Sequence, residues 1–258
     1  MELGLTGLKK LLDDKIRLYN QPYFISGDPI QVPHRYSKKQ DIEIAGLFGA
    51  ILAWGNRTSI INSCIKLMQW MDDSPHDFIL NHKDSDFKNM LGFAHRTFNA
   101  TDLLYFIEFL QYHYRKHVSL EDAFVPAKTY KYGTVEQALV HFYEYFFSIE
   151  HPERTRKHIS TPVRKSACKR INMYLRWMVR TDNNGVDFGI WTKINPRQLI
   201  CPLDVHVGRV AFRLGLIDNE KSNWQNALFL TQRLRELNPN DPVVYDFALF
   251  GLGISERF

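Results

Sequence analysis

An aspartate at the start of an amphipathic segment is the residue with the clearest chemical role. In residues 201–216 the apolar side chains recur at helical spacing and predict a buried stripe, whereas His206 and Arg209 fall on the opposite face. Asp204 occupies the N-cap position, where the helix dipole favours a carboxylate. A carboxylate fixed there can stabilise a positive charge on a substrate, and Gly208 leaves room for a substrate backbone. The alternative interpretation is an N-cap with no other role.

A cationic helix face is predicted in residues 165–180. Residues 151–180 contain nine Lys or Arg and one acidic residue, so this stretch carries +8 and the rest of the chain −3. Cations beside an indole suit a phosphate backbone and a stacked base. The alternative is an ordinary exposed helix face with Trp177 in the core. The polar positions of the face are Lys165, Lys169, Asn172, Arg176 and Arg180, with Arg170 and Trp177 beside them.

Two predicted helices meet near residues 54–57. Trp54 and Gly55 end one helical pattern, and Asn56 and Arg57 precede the next. Loops and junctions that a rigid scaffold positions often supply ligand contacts, so Asn56 and Arg57 are candidates for such contacts. The alternative is a turn selected only for its Gly-Asn sequence.

These candidate residues lie in segments whose apolar residues recur at helical spacing, and such segments make up most of the chain. No segment alternates apolar and polar residues between turn signals, so we predict an all-α fold. Helix starts are also predicted where Ser or Thr precedes Gln or Asp by three positions, at Ser37, Ser119, Thr134 and Ser222. The predicted helices lie at roughly 3–19, 38–54, 58–72, 75–82, 100–116, 120–125, 135–149, 165–180, 204–215, 223–237 and 241–252.

The domain organisation follows from length and from one long loop. The chain has 258 residues, enough for one large domain or two interlocked ones. A loop near residues 149–162 favours a single two-lobed domain over 1–258. One lobe would span about 21–150, and the other would combine about 1–20 with 151–258. A groove between such lobes is a common place for a site.

Composition excludes several classes of protein. Apolar residues make up 45% and charged residues 24%, as in globular proteins. We predict no transmembrane helix and no secretory signal, and therefore expect a cytoplasmic protein without a membrane partner. Three cysteines are too few for an iron–sulfur cluster or for zinc held by cysteine alone. We expect no metal, no cofactor and a monomer.

Residues 202–215 carry a resemblance to a known superfamily. They read Pro-Leu-Asp-Val-His-Val-Gly-Arg-Val-Ala-Phe-Arg-Leu-Gly and resemble the catalytic aspartate segment of the helix-hairpin-helix (HhH-GPD) DNA glycosylases, closest to the 8-oxoguanine glycosylase branch. The stretches 175–180, 201–204 and 241–249 are similar to a bacterial family described only as a domain of unknown function. The superfamily's Gly-rich hairpin and the lysine that follows it are absent, since residues 184–186 are Asn-Gly-Val.

The resemblance implies a role for each matching residue. Asp204 would stabilise the oxocarbenium-like sugar as the base departs, and Lys169 would be the nucleophile. Asn56 would fill the gap left by a flipped nucleotide, with Arg57 as a neighbouring contact. The remaining DNA-binding residues would be Lys165, Arg170, Asn172, Arg176, Arg180, His206, Gly208 and Arg209. The base pocket would include Trp54, His95, Arg96, Trp177, Tyr245 and Phe247.

The sequence therefore predicts a DNA-repair glycosylase with duplex DNA as its partner. It would hydrolyse the N-glycosidic bond of a damaged base, such as an oxidised purine, flipped out of the duplex. AP-lyase activity would follow if Lys169 forms a Schiff base. One alternative is a non-catalytic nucleic-acid-binding protein that retains the glycosylase fold. Another is a helical module whose basic stretch meets an acidic protein.

Overall fold

The computed structural model describes residues 4–128, 130–254 and 256, and it confirms the all-α prediction. Two strands, β1 (Ala94–His95) and β2 (Phe98–Asn99), form a short antiparallel hairpin in which Ala94 pairs with Asn99. The α-helices are α1 (Leu5–Tyr19), α2 (Lys39–Ile51), α3 (Arg57–Trp70), α4 (Pro75–Asn81), α5 (Ala100–Tyr114), α6 (Glu121–Phe124), α7 (Glu136–Phe146), α8 (Lys169–Val179), α9 (Val205–Arg213), α10 (Trp224–Leu237) and α11 (Tyr245–Ile254).

All eleven predicted helices are confirmed within the described ranges, with ends that shift by a few residues; residue 3, the predicted start of the first, lies outside those ranges. The prediction of no strands is wrong for the hairpin at 94–99, which is too short to show alternation. Short 3₁₀ turns fill much of the remaining chain. They lie at Pro22–Phe24, Pro29–Gln31, Pro33–Arg35, Asp84–Gly92, Glu153–Lys157, Pro162–Arg164, Pro196–Gln198 and Pro242–Val244.

Asparagine and aspartate cap several helices, and two of the predicted serines are not the caps. At α2 the N-cap is Lys38, the residue after Ser37, and its side chain makes no capping hydrogen bond. At α10 the cap is Asn223, whose side chain accepts a hydrogen bond from the Asn226 N–H, whereas Ser222 bonds elsewhere. Asn99 and Asp102 form a reciprocal capping box at the start of α5.

The chain divides into two compact units. The first unit contains Met1–Phe24, Thr129–Gln137 and Thr161–Phe258, and the second contains Ile25–Lys128 and Ala138–Ser160. This division differs from the predicted lobes because the short segment Thr129–Gln137 belongs with the first unit and the last boundary follows Ser160. No helix in the described ranges combines the length and the apolar character needed to cross a membrane.

In the first unit, α11 packs against both α1 and α9. A side chain at Gly251 would lie 2.1 Å from the Tyr19 ring, so only glycine allows this close approach of α11 to α1. Glu256 then accepts hydrogen bonds from Tyr19 Oη at 2.7 Å and from Lys15 Nζ at 2.6 Å. Arg209 of α9 donates to the Gly253 carbonyl of α11 at 3.1 Å, and this hydrogen bond joins the two helices.

In the second unit, α2 is buried on all sides and contains a buried carboxylate. Glu43 accepts hydrogen bonds from the Tyr114 hydroxyl, the Ser119 hydroxyl and the Leu120 N–H. Three donors replace the water that the carboxylate loses, and this makes its burial tolerable. The Ser119 hydroxyl also accepts from the Glu121 N–H at 3.2 Å at the start of α6.

Candidate active site

A lysine and an aspartate meet in the first unit where two helices begin. Lys169 is the first residue of α8, and Asp204 is the N-cap of α9. One Asp204 oxygen accepts from the N–H groups of His206 and Val207, both at 2.9 Å, and the other lies 3.5 Å from Lys169 Nζ. The two side chains remain 28% and 20% exposed. A fixed carboxylate and an amine are therefore both open to a ligand.

The backbone before Lys169 has an uncommon conformation. Lys165 and Cys168 both lie in the left-handed region, with φ of 59° and 51°. For residues other than glycine this costs roughly 1–2 kcal/mol each. The Cys168 N–H donates to the Ser166 hydroxyl at 3.2 Å, and the Cys168 carbonyl accepts from the Asn172 N–H. Such strain persists only where the surrounding structure fixes the chain, as it does in the turn that leads to Lys169.

The prediction of one solvent-facing cationic surface is wrong for Asn172 and Arg176 of α8 and for Arg180, the residue that follows α8, because all three are buried. Arg176 pairs with Asp246 and, at 3.2 Å, with Asp187. Arg176 and Arg180 therefore face inward, toward carboxylates that come later in the chain. A phosphate could bind Arg176 only if Arg176 left Asp246 and Asp187, and leaving a buried carboxylate unpaired is costly.

Arg180 extends the same buried network. Its guanidinium lies 3.0 Å from Asp187, 2.7 Å from Asp182 and 2.9 Å from Asp241. Burial raises the pKa of Asp241 despite the opposing charge of Arg180. For Asp182, burial pushes the pKa up, but the Asn20 hydrogen bond and Arg180 outweigh it, so the pKa is lowered.

Asp246 connects the buried network to the Lys169–Asp204 pair. Burial raises the pKa of Asp246 to about 6, with Arg176 opposing the shift. The charge of Asp204 also raises this pKa and that of Lys169 lowers it, so both residues act electrostatically on Asp246. The sequence interpretation considered Asp246 only as a core or pocket residue, because its partner Arg176 lies 70 positions away.

The other predicted DNA-binding residues of the first unit have mixed environments. Lys165 and His206 are exposed, and Arg170 is half-buried, with burial lowering its pKa. Arg209 is held by the Gly253 carbonyl. The prediction that Gly208 admits a substrate backbone is wrong, because the chain's own Glu220 carbonyl lies 3.2 Å from where a Cβ would stand.

Three residues predicted for a base pocket, Trp177, Tyr245 and Phe247, lie in the core of the first unit. Trp177 is completely buried, as the alternative interpretation held. The Tyr245 hydroxyl donates to Asp13 at 3.2 Å, and the Phe247 ring packs edge-on against Phe24. Phe247 also lies 4.4 Å from the Arg176 guanidinium. The base-pocket prediction is therefore wrong for all three residues, because their side chains already pack against other residues of the first unit.

The second unit exposes an aromatic and cationic surface where α2 and α3 meet. Trp54 is 40% exposed, and the Arg96 guanidinium lies 5.8 Å from its ring centre. Gly55, at φ +102°, leaves room for Arg96, since a Cβ would lie 2.6 Å from that guanidinium. Asn56 caps α3 by accepting from the Ser59 N–H at 3.2 Å, and Arg57 is exposed.

The β1–β2 hairpin positions Arg96 at its turn. Arg154 donates to the Thr97 carbonyl at 3.0 Å and pairs with the buried Asp102. His95, also predicted for the base pocket, is buried and contacts the Ser63 hydroxyl at 3.0 Å. Burial lowers the pKa of His95, with the Trp54 and Leu52 carbonyls opposing. His95 therefore supports the hairpin from inside, whereas Arg96 faces solvent.

Fold and site together define an α-helical protein with an accessible Lys–Asp pair at two helix starts. Among the described residues, no group of three or more His, Cys, Asp or Glu is placed to hold a metal ion. The chain belongs to the family "Protein of unknown function (DUF2400)", whose model matches residues 28–255. No curated protein and no solved structure matches the chain.

Proposed function

We propose that the protein is a DNA N-glycosylase with AP-lyase activity that acts on a damaged base, such as an oxidised purine. The proposal rests on one observation: Lys169 Nζ lies 3.5 Å from Asp204, and both side chains are accessible. The resemblance of residues 202–215 to HhH-GPD glycosylases supports the same roles for these two residues.

The pair suits glycosidic cleavage through its charges. As the C1′–N bond breaks, the electron pair leaves with the base, which takes up a proton, and positive charge develops on the sugar. Asp204, oriented by two backbone N–H groups, stabilises that charge. The Lys169 ammonium gives its proton to the departing base, and the neutral Nζ then bonds to C1′. The C1′–O4′ bond breaks as O4′ takes a second proton from Nζ, and this opening of the sugar ring leaves a protonated imine.

Borohydride trapping tests this proposal because it reduces the imine to a stable amine that links protein and DNA. The substrates are labelled duplexes containing 8-oxoguanine, uracil or an abasic site. We expect wild type to form a covalent band and Lys169→Gln to lose it. Asp204→Asn should lower cleavage of the damaged base by at least about a hundredfold, as expected for losing a major electrostatic contribution.

Lys10→Gln is the control, because it removes the same charge from an exposed lysine of the first unit to which no role in DNA binding is assigned. It should keep the covalent band. A band retained by Lys169→Gln would assign the nucleophile to another lysine. If wild type gives neither a band nor alkali-sensitive nicks on any duplex, the glycosylase proposal is wrong.

A second candidate is a nucleic-acid-binding protein without catalysis. The exposed Trp54 ring beside Arg96 favours it, since aromatic and cationic side chains together bind bases and phosphates. In that case Lys169→Gln and Asp204→Asn would leave DNA affinity nearly unchanged, and no duplex would be cleaved. Cleavage of the same duplexes separates the two candidates, because Asp204→Asn should leave binding, measured by fluorescence anisotropy, nearly unchanged under both.

A further inference from the structure

One loop of the first unit contacts both segments that carry the candidate pair. The segment called loop 219–224 consists of residues 219–223 and Trp224, the first residue of α10. Its Ser222 hydroxyl donates to the Leu203 carbonyl at 3.0 Å, directly before Asp204. Asn223 forms an antiparallel bridge with Ser166, three residues before Lys169.

Two further contacts extend this arrangement. The Trp224 N–H donates to the Lys165 carbonyl at 3.1 Å, so the turn before Lys169 is held at two successive residues. On the other side, the Glu220 carbonyl packs against Gly208, one turn into α9 from Asp204. The turn before α8 and the start of α9 are therefore joined through loop 219–224.

The loop is itself well ordered by hydrogen bonds. The Asn226 side chain donates to the Lys221 carbonyl at 2.8 Å, and the Lys221 N–H donates to the Asn219 side chain at 3.1 Å. Asn223 caps α10 through the Asn226 N–H at 2.9 Å. A loop fixed in this way can transmit a defined spacing between the two segments that it contacts.

We propose that loop 219–224 sets the position of Lys169 relative to Asp204, with Ser222 as a positioning residue. Its catalytic meaning rests on the proposed function, but the spacing itself can be measured without DNA. Loss of the Ser222 hydroxyl leaves the Leu203 carbonyl without this donor and removes one of the two contacts described between the loop and the start of α9. A misplacement of about 1 Å at reacting groups can lower a rate about a hundredfold.

Zero-length crosslinking with a carbodiimide tests the spacing, because it joins a carboxylate and an amine only when they touch. Peptide mapping gives the yield of the Lys169–Asp204 amide, with the Lys9–Asp13 pair, 2.7 Å apart, as internal reference. We expect Ser222→Ala to lower the relative yield on the order of two- to tenfold, the factor that one hydrogen bond contributes. Borohydride trapping should slow at least about tenfold.

Two variants control this experiment. Ser222→Thr keeps the hydroxyl at an exposed position and should restore both readouts. Ser85→Ala removes a hydroxyl that donates to Asp86 in the second unit and should change neither. Urea unfolding of each variant reports whether the chain still folds.

The outcomes separate the inference from the proposed function. If the crosslink yield is the same in Ser222→Ala and wild type, or if Ser222→Thr loses as much as Ser222→Ala, the positioning role is wrong. If the yield depends on Ser222 but wild type traps no duplex, the positioning role stands and the glycosylase proposal fails.

Discussion

Replacing the buried Arg176 with methionine should destabilise the protein strongly at neutral pH. Arg176 pairs with Asp246 and Asp187 in the core of the first unit. Methionine fills much of the same volume but leaves Asp246 without its cation, whereas Asp187 keeps Arg180. Removing one partner of a buried pair costs about 3–5 kcal/mol, because the other group either keeps an unpaired buried charge or must take up a proton.

The pH dependence follows from Asp246. Burial raises its pKa to about 6 from 3.8 even beside Arg176, which lowers it. The contribution of Asp246 to wild-type stability should therefore rise as pH falls through 6, because the folded carboxyl takes up a proton before the unfolded one. Without Arg176 this pKa lies higher still, so Asp246 in the folded variant takes up its proton at a higher pH than in wild type. The penalty of Arg176→Met should then shrink by up to about 1.4 kcal/mol between pH 7 and pH 5.

Urea unfolding followed by tryptophan fluorescence at pH 7, 6 and 5 measures both effects. Arg233→Met is the matched control, since Arg233 is exposed and pairs only with Glu236 across one helical turn. Its stability should change by less than about 0.5 kcal/mol. Adding Asp246→Leu to Arg176→Met should recover at least half of the loss. A penalty below about 1 kcal/mol at pH 7, or one that grows on acidification, would refute this reasoning.

Two other substitutions test packing and binding. Gly251→Ala should lower the free energy of unfolding by about 1–3 kcal/mol, because the new methyl group meets the Tyr19 ring. Gly92→Ala is the control and should be nearly neutral, because the methyl group added there has no atom within 4 Å. Equal losses in the two variants would contradict this prediction. Arg96→Ala should reduce the slope of log affinity for DNA against log salt by about 1, whereas Arg233→Ala should not; an unchanged slope would remove Arg96 from the binding surface.

The sequence predicted what local patterns determine. Helical periodicity identified the helices, and the N-cap role of Asp204 was predictable because its hydrogen bonds reach only the next turn. Lys169 was named through a resemblance, and its contact with Asp204 needed the fold. The burial of Arg176 was not predictable from a helical wheel, because its partner Asp246 lies 70 positions away.

Long-range partners also explain the error at Ser222. Its spacing to Gln225 matches a capping box, but its hydroxyl bonds the Leu203 carbonyl 19 positions earlier, and the neighbouring asparagine caps the helix instead. A local motif competes with tertiary contacts that no short window contains.

The packing of α1 against α11 has a consequence for synthesis on the ribosome. Tyr19 and its partner Glu256 are 237 positions apart. At roughly 5–20 residues per second, α1 waits about 10–50 seconds for the helix that covers it. Its apolar side, with Leu8 and Leu12, has no α11 to pack against during that time. The second unit, by contrast, is complete in sequence once Ser160 has been made. It can fold as nascent chain while the first unit still lacks its C-terminal helices, so α1 is the segment most in need of chaperone protection.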